Sequence, residues 1–247
     1  MSTPLPTPEG PRRRLSQEDR KVSIARAAAK LFAERGFHAT GSRDLARACG
    51  ISEALMFRYF PNKEELWKAA LESCRRNAVA DSLRSIPTRP PSTAGLVDMT
   101  WELAEDFLAT GPGERVENRN TIHRMLLRSL AEDGEFARML TSDLSAGMAG
   151  YISQCLAVAR AAGELDTAPN DDLIVSRFYR LLLFGIASHV IQDEPVIRFG
   201  VSGRALIESF VRYQLRALGF KGEIVDREVG AYAAARGKKR AVKARRS

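Results

Sequence analysis

Apolar residues recur along this chain at intervals of three and four, and nowhere do they alternate in the manner of a strand. Ile24, Ala28, Leu31 and Phe32 follow the i, i+4, i+7, i+8 pattern that places side chains on one face of a helix. Leu66, Trp67, Ala70, Leu71 and Cys74 repeat it. This spacing predicts an all-α fold. Helix signals divide the chain: Ser16 with Asp19 three residues on, Ser52, and Asn62 with Glu65 are N-terminal caps, while Gly36 and Gly50 end helices and Pro61 interrupts one. "IPTRPPST" (86–93) is the first strong break. Beyond it the pattern predicts longer helices at about 94–109, 115–131, 135–162, 171–192 and 202–218. No internal repeat is present.

Composition excludes several classes. With 45% hydrophobic and 28% charged residues among 247, the chain reads as an ordinary globular protein with a sizeable core. No apolar run reaches the roughly 18 residues of a membrane span, and "MSTPLPTPEGPRRRLS" lacks the apolar stretch of a signal peptide. The expectation is a cytoplasmic protein with no membrane partner. Cys49, Cys74 and Cys155 are odd in number and far apart, as in a reducing compartment. His38, His123 and His189 are equally scattered, so no metal and no cofactor is expected. Nor does a nucleophile with a base, or a phosphate loop, appear, which leaves an enzyme without support.

The charge is segregated. Residues 12–63 carry 12 Lys/Arg against 5 Asp/Glu, residues 64–235 carry 19 against 24, and the last twelve, "RGKKRAVKARRS", hold seven basic residues and no acid. A basic front on an acidic body implies a polyanion partner for the front.

Within that basic front, "SRDLARACGISEALMFRYF" has the dimensions of a helix-turn-helix. Leu45, Ala48, Ile51, Met56 and Phe60 close a small core, leaving Glu53, Ala54, Leu55, Phe57, Arg58 and Tyr59 for a major groove. The hydroxyls of Thr40 and Ser42, with the backbone amides at the start of the second helix, would meet a phosphate. Lys63 would add a point charge to that contact. Arg43 and Arg58 are candidates for base-edge or phosphate contact. Glu53 would accept from a cytosine amino group or serve as a plain first-turn acid, and Phe57 would touch a thymine methyl or pack beneath the fourth helix. Trp67 reads as core. Arg12–Arg14 would form a DNA-reaching arm or a simple flank.

From Ile24 to Leu71, "IARAAAKLFAERGFHATGSRDLARACGISEALMFRYFPNKEELWKAAL" closely resembles the DNA-binding domain of the tetracycline-repressor (TetR-type) family of bacterial regulators. The resemblance rests on the "AAxxLFAERGF" helix and turn, "AT" before the second helix, "RDLAxxxGIS", and "YF" before "PNKEEL". It implies a homodimeric transcriptional repressor that binds double-stranded DNA at a palindromic operator and is released by a small-molecule effector. The implied DNA contacts are Thr40, Ser42, Arg43, Glu53, Ala54, Leu55, Phe57, Arg58, Tyr59 and Lys63. Four of them depart from the common pattern: Phe57 stands where Tyr is frequent, Tyr59 where His is, Ser42 where an apolar residue is, and Glu53 where Lys is. The alternatives are an activator, a ligand-independent regulator, or a nucleoid-type binder that uses the basic tail.

The rest of the chain is expected to be a helical regulatory and dimerisation domain. The expected division is an N-terminal arm at 1–16, the helix-turn-helix domain at 17–63, the ligand-binding and dimerisation domain at 64–220, and a disordered basic tail at 221–247. The helices at 171–192 and 202–218 are too apolar for one-sided burial. Phe178, Leu182, Ile186, Ile207, Phe210, Val211 and Leu218 are therefore the expected dimer interface, the place where the family puts it. Trp101, Phe107, Asn120, His123, Met125, Tyr151 and Phe178 would line the pocket of an apolar or amphipathic effector. Arg119, one turn before His123, and the adjacent Arg124 hint at an anionic or hydrogen-bonding ligand.

Overall fold

A computed structural model describes residues 16–84, 90–108, 113–167, 172–191 and 194–244. Among these the chain is all-α, with ten helices: α1 (Gln17–Arg35), α2 (Ser42–Ala48), α3 (Glu53–Tyr59), α4 (Lys63–Arg84), α5 (Thr93–Leu108), α6 (Glu114–Ala131), α7 (Glu135–Ala161), α8 (Asp172–Val190), α9 (Gly203–Ala217) and α10 (Gly222–Ala244). The first nine follow the predicted spacing. The N-terminal arm lies outside the described residues apart from Ser16.

Local chemistry sets the ends of these helices. Ser16, Ser52 and Asn62 accept from the backbone N–H three residues on, at 3.0, 3.2 and 2.8 Å. Gly50, at φ +65°, closes α2: its N–H reaches Arg47 O and the N–H of Ile51 reaches Ala46 O. That pair of bonds is a Schellman cap, and the left-handed backbone is why glycine stands there.

The chain forms two compact units, Met1–Ser73 and Cys74–Ser247. The division falls inside α4, ten residues after the expected boundary at 63/64, because the first turns of α4 supply Leu66, Ala70 and Leu71 to the core of the first unit. That core also contains Ile24, Ala28, Phe32, Leu45, Met56 and Phe60. Phe32 meets Trp67 edge-on at 4.9 Å, so Trp67 serves this core, as its position in the stripe implies.

In the second unit α5 runs among α7, α8, α9 and α10. Here the structure corrects the expectation of a disordered tail. Residues 222–244 form α10, and Ile224, Val225, Val229 and Ala233 are buried against α5 and α9. A latch precedes this helix: Asp166 N–H donates to Gly219 O at 2.8 Å and Lys221 N–H to Glu164 O at 3.0 Å. Gly219 cannot be replaced cheaply, since a Cβ there would fall 2.0 Å from Thr167 O. Along α10, Tyr232 donates to Asp98, and Arg236 pairs with Glu102 and, at 2.9 Å, with Glu105.

Candidate nucleic-acid interface and effector site

The helix-turn-helix places α3 so that Met56 and Phe60 point inward while Ala54, Phe57 and Arg58 are exposed. Glu53, Leu55 and Tyr59 are half-buried along the edges of that face. Arg43, near the start of α2, lies 3.9 Å from Glu53, but both side chains are solvated, so this pair is worth at most about 1 kcal/mol. Ser42 is half-buried at the first position of α2. The N-cap of that helix, Gly41, provides no side-chain cap.

Two of the predicted contacts are engaged inside the unit, Thr40 wholly and Lys63 in part. Thr40 is only 1% exposed, and its hydroxyl donates to Gly36 O at 2.6 Å. It is an internal tie rather than an outward hydroxyl, because the turn between α1 and α2 needs a partner for that carbonyl. Lys63 donates to Phe37 O at 3.0 Å and to Thr40 O at 3.2 Å, with its ammonium 4.3 Å from the Phe37 ring centroid. Two of its three N–H donors therefore clamp the α1–α2 turn, and one is left for an outside anion. Asp44 reinforces the same corner through Arg35 and Arg47, each at 3.2 Å.

Residues 24–70 match the family described as "Bacterial regulatory proteins, tetR family". The N-terminal unit is a TetR-family domain. The chain is 31% identical over 75 residues to the HTH-type transcriptional activator FasR of Mycolicibacterium smegmatis, covering 30% of this chain and 34% of FasR. It is 41% identical over 56 residues to an HTH-type transcriptional repressor of Mycobacterium tuberculosis, covering 23% of this chain and 30% of the repressor. It thus spans about a third of the length of these relatives. The fold is similar to that of AibR in complex with isovaleryl coenzyme A and operator DNA, with a TM-score of 0.56, 16% identity, and 78% of this chain and 97% of AibR covered.

In the second unit the residues expected to line a pocket separate. Phe107 and His123 come together where the last turn of α5 meets α6, with Asn120 three residues before His123 on the same helix. Phe107 meets the His123 ring edge-on at 5.3 Å. Arg119 joins them, donating to Asp106 O at 2.5 Å and to Asn120 Oδ1 at 2.8 Å. Phe184 of α8, absent from the expected set, stacks flat on the His123 ring at 4.9 Å. Nothing in sequence singles it out on a helix so broadly apolar.

The other expected pocket residues lie elsewhere. Trp101 packs on Tyr232 of α10 at 5.4 Å and donates to Glu105 at 3.1 Å. Tyr151 lies against Gly95, twelve residues from Phe107 and thus roughly 18 Å along α5. Met125 is buried, but two residues from His123 it occupies another side of α6. Phe178 is 66% exposed, which removes it from any pocket within the protomer.

Burial shapes the chemistry of the cluster. His123 is only 3% exposed, and desolvation, with a smaller contribution from the Arg119 charge, pushes its imidazole down to about 4. Its hydrogen bond to the backbone of Arg119 works in the opposite direction but is outweighed. Arg119 is itself lowered by burial.

The expected dimer interface also divides. Phe210, Val211 and Leu218 are buried within the protomer, since α5 and α10 cover that side of α9. Leu182, Ile186 and Ile207 are half-buried. On α8, Ile174, Phe178 and Leu181 stand exposed at helical spacing.

Proposed function

We propose that the chain is a sequence-specific transcriptional regulator: a homodimeric repressor that binds a palindromic operator and leaves it when a small molecule occupies the second unit. One observation carries the DNA reading, namely that α3 and its C-cap bury Met56 and Phe60 while Ala54, Phe57 and Arg58 face solvent in a TetR-family helix-turn-helix. Arg43 and Arg58 read bases or phosphates; Ser42, Glu53, Ala54, Leu55, Phe57 and Tyr59 surround them, and the third donor of Lys63 meets a phosphate. In this reading residues 17–63 carry the DNA contacts, and the helical body, α10 included, carries effector binding and dimerisation. The exposed stripe of Ile174, Phe178 and Leu181 on α8 supplies the two-fold contact.

The effector reading draws on the cluster around His123 and on AibR, whose structure holds both an acyl coenzyme A and operator DNA. Ligand acts by binding more tightly to a conformation that fits the operator less well. The relatives named above include an activator and a repressor, so the sign of regulation rests on the family resemblance. The cytoplasm is the proposed location: no helix among the described residues is long and apolar enough to cross a membrane, and all three cysteines are free thiols.

Footprinting on the DNA upstream of the chain's own coding sequence tests the reading. A two-fold protected site that a screen of acids, alcohols, amines and thioesters can release is expected. Uniform protection without sequence preference overturns specific regulation, and failure of the entire screen to release a specific complex overturns the effector reading.

A further inference from the structure

His123 holds a buried hydrogen-bonding atom with no partner. Its ring bonds the backbone of Arg119, while Nε2 is buried with no hydrogen-bond partner among the described residues. The bond to Arg119 must therefore run through Nδ1. A backbone carbonyl accepts and cannot donate, so Nδ1 carries the proton and the neutral ring presents a bare lone pair at Nε2. The stack on Phe184 and the edge of Phe107 fix the ring plane and keep solvent away from its faces.

Resting on the effector reading above, we infer that Nε2 of His123 is the recognition atom of the effector site and that it accepts from an uncharged hydroxyl on an apolar body, an alcohol or a phenol. The surroundings reject the other classes. A carboxylate brings acceptor oxygens against a lone pair and would require the ring to be protonated, which its burial and the Arg119 charge oppose. The anionic ligand that Arg119 suggests in the sequence would have to displace bonds its guanidinium already donates to Asp106 O and Asn120 Oδ1. An ammonium ion would meet the same guanidinium charge. An ether fits the apolar walls but offers no proton, leaving the buried acceptor unsatisfied. A hydroxyl satisfies it without placing a charge among Phe107, Phe184 and His123.

The test uses the full-length protein and three matched probes: 4-butylphenol, 4-butylanisole and 4-butylbenzoate. Titration calorimetry should show the phenol binding at least about tenfold more tightly than the anisole. With 15N-labelled histidine there are only three imidazoles to follow, and the phenol should move the unprotonated nitrogen signal of one of them. His123→Phe should abolish the preference for phenol over anisole, whereas His123→Gln, which keeps an acceptor, should retain part of it. If His123→Phe does not fold, the 15N shift in the unaltered protein and the His123→Gln comparison decide the matter. Equal or tighter binding of the anisole or the benzoate overturns the hydroxyl assignment and leaves the effector reading standing. Failure of all three to bind also overturns the assignment, while the effector reading falls only if the broad screen fails to release the operator.

Discussion

α8 and α9 carry apolar faces of similar breadth, yet the structure treats them oppositely. Val211 and Leu215 on α9 are fully buried within the protomer, and α10 with α5 covers them. Phe178 and Leu181 on α8 lie in the open. Apolar width alone indicates that a helix needs a second partner; it does not indicate whether that partner is the same chain or another copy. Here one helix is completed from within by a segment whose composition resembles a loose basic tail. The other retains the face available to a partner molecule.

Removing residues 222–247 should break this comparison most severely. It uncovers α9 and α5 together, and the expected outcome is loss of cooperative unfolding by calorimetry, whereas removal of 238–247 alone should move Tm by only a few degrees. At single positions, Val211→Asp places a charge in a sealed core and should cost more than about 4 kcal/mol in urea denaturation. Phe178→Asp should leave protomer stability within about 1 kcal/mol but convert the proposed dimer to monomer in light scattering, with operator affinity falling accordingly. A dimer that survives both Phe178→Asp and Leu181→Asp would place the interface elsewhere.

The next effect is set by pH. His123 is neutral in the fold, with its pKa lowered from 6.5 to about 4. Between those values the unfolded chain binds a proton that the folded chain does not. Stability is therefore complete above pH 6.5, falls as pH drops toward 4, and then levels off, with a total loss of about 3 kcal/mol. His123→Phe should flatten that portion of the stability curve measured by denaturant titration. Smallest is Lys63→Met, which removes two hydrogen bonds from the α1–α2 turn and should cost about 1–2 kcal/mol. Operator affinity should weaken uniformly across sequences, and the salt dependence should lose about one phosphate contact. A lowered stability with an unchanged salt slope would make Lys63 purely a clamp.

Most of the helix boundaries were legible because their signals are local. Ser52 caps a backbone N–H three residues away, Asn62 does the same, and Gly50 closes α2 through bonds spanning at most five residues. The signal for α10 was present as well: Ile224, Val225, Val229, Tyr232 and Ala233 keep helical spacing. The basic run that follows them has the composition of a disordered tail, and that composition hides the periodicity. The outward face of α3 could be read from Met56 and from Phe60 at its C-cap, since two buried positions one turn apart orient the rest of so short a helix. The roles of Thr40 and Lys63 could not, because they depend on where carbonyl oxygens of a neighbouring turn come to lie.

Sequence alone determined the all-α class, the first nine helices and the resemblance of residues 24–71 to a DNA-binding domain, all of which follow from interactions within a few residues of chain. Tertiary structure decided what long-range contact controls. Arg236 meets Glu102 and Tyr232 meets Asp98 across 134 residues, and those contacts accompany the burial of α9 and the exposure of α8. The setting of His123 likewise comes from three helices, since only the packed chain brings Phe107 of α5 and Phe184 of α8 against an imidazole of α6. A side chain's spacing determines the face it shares, but the element that covers that face is chosen by the rest of the fold.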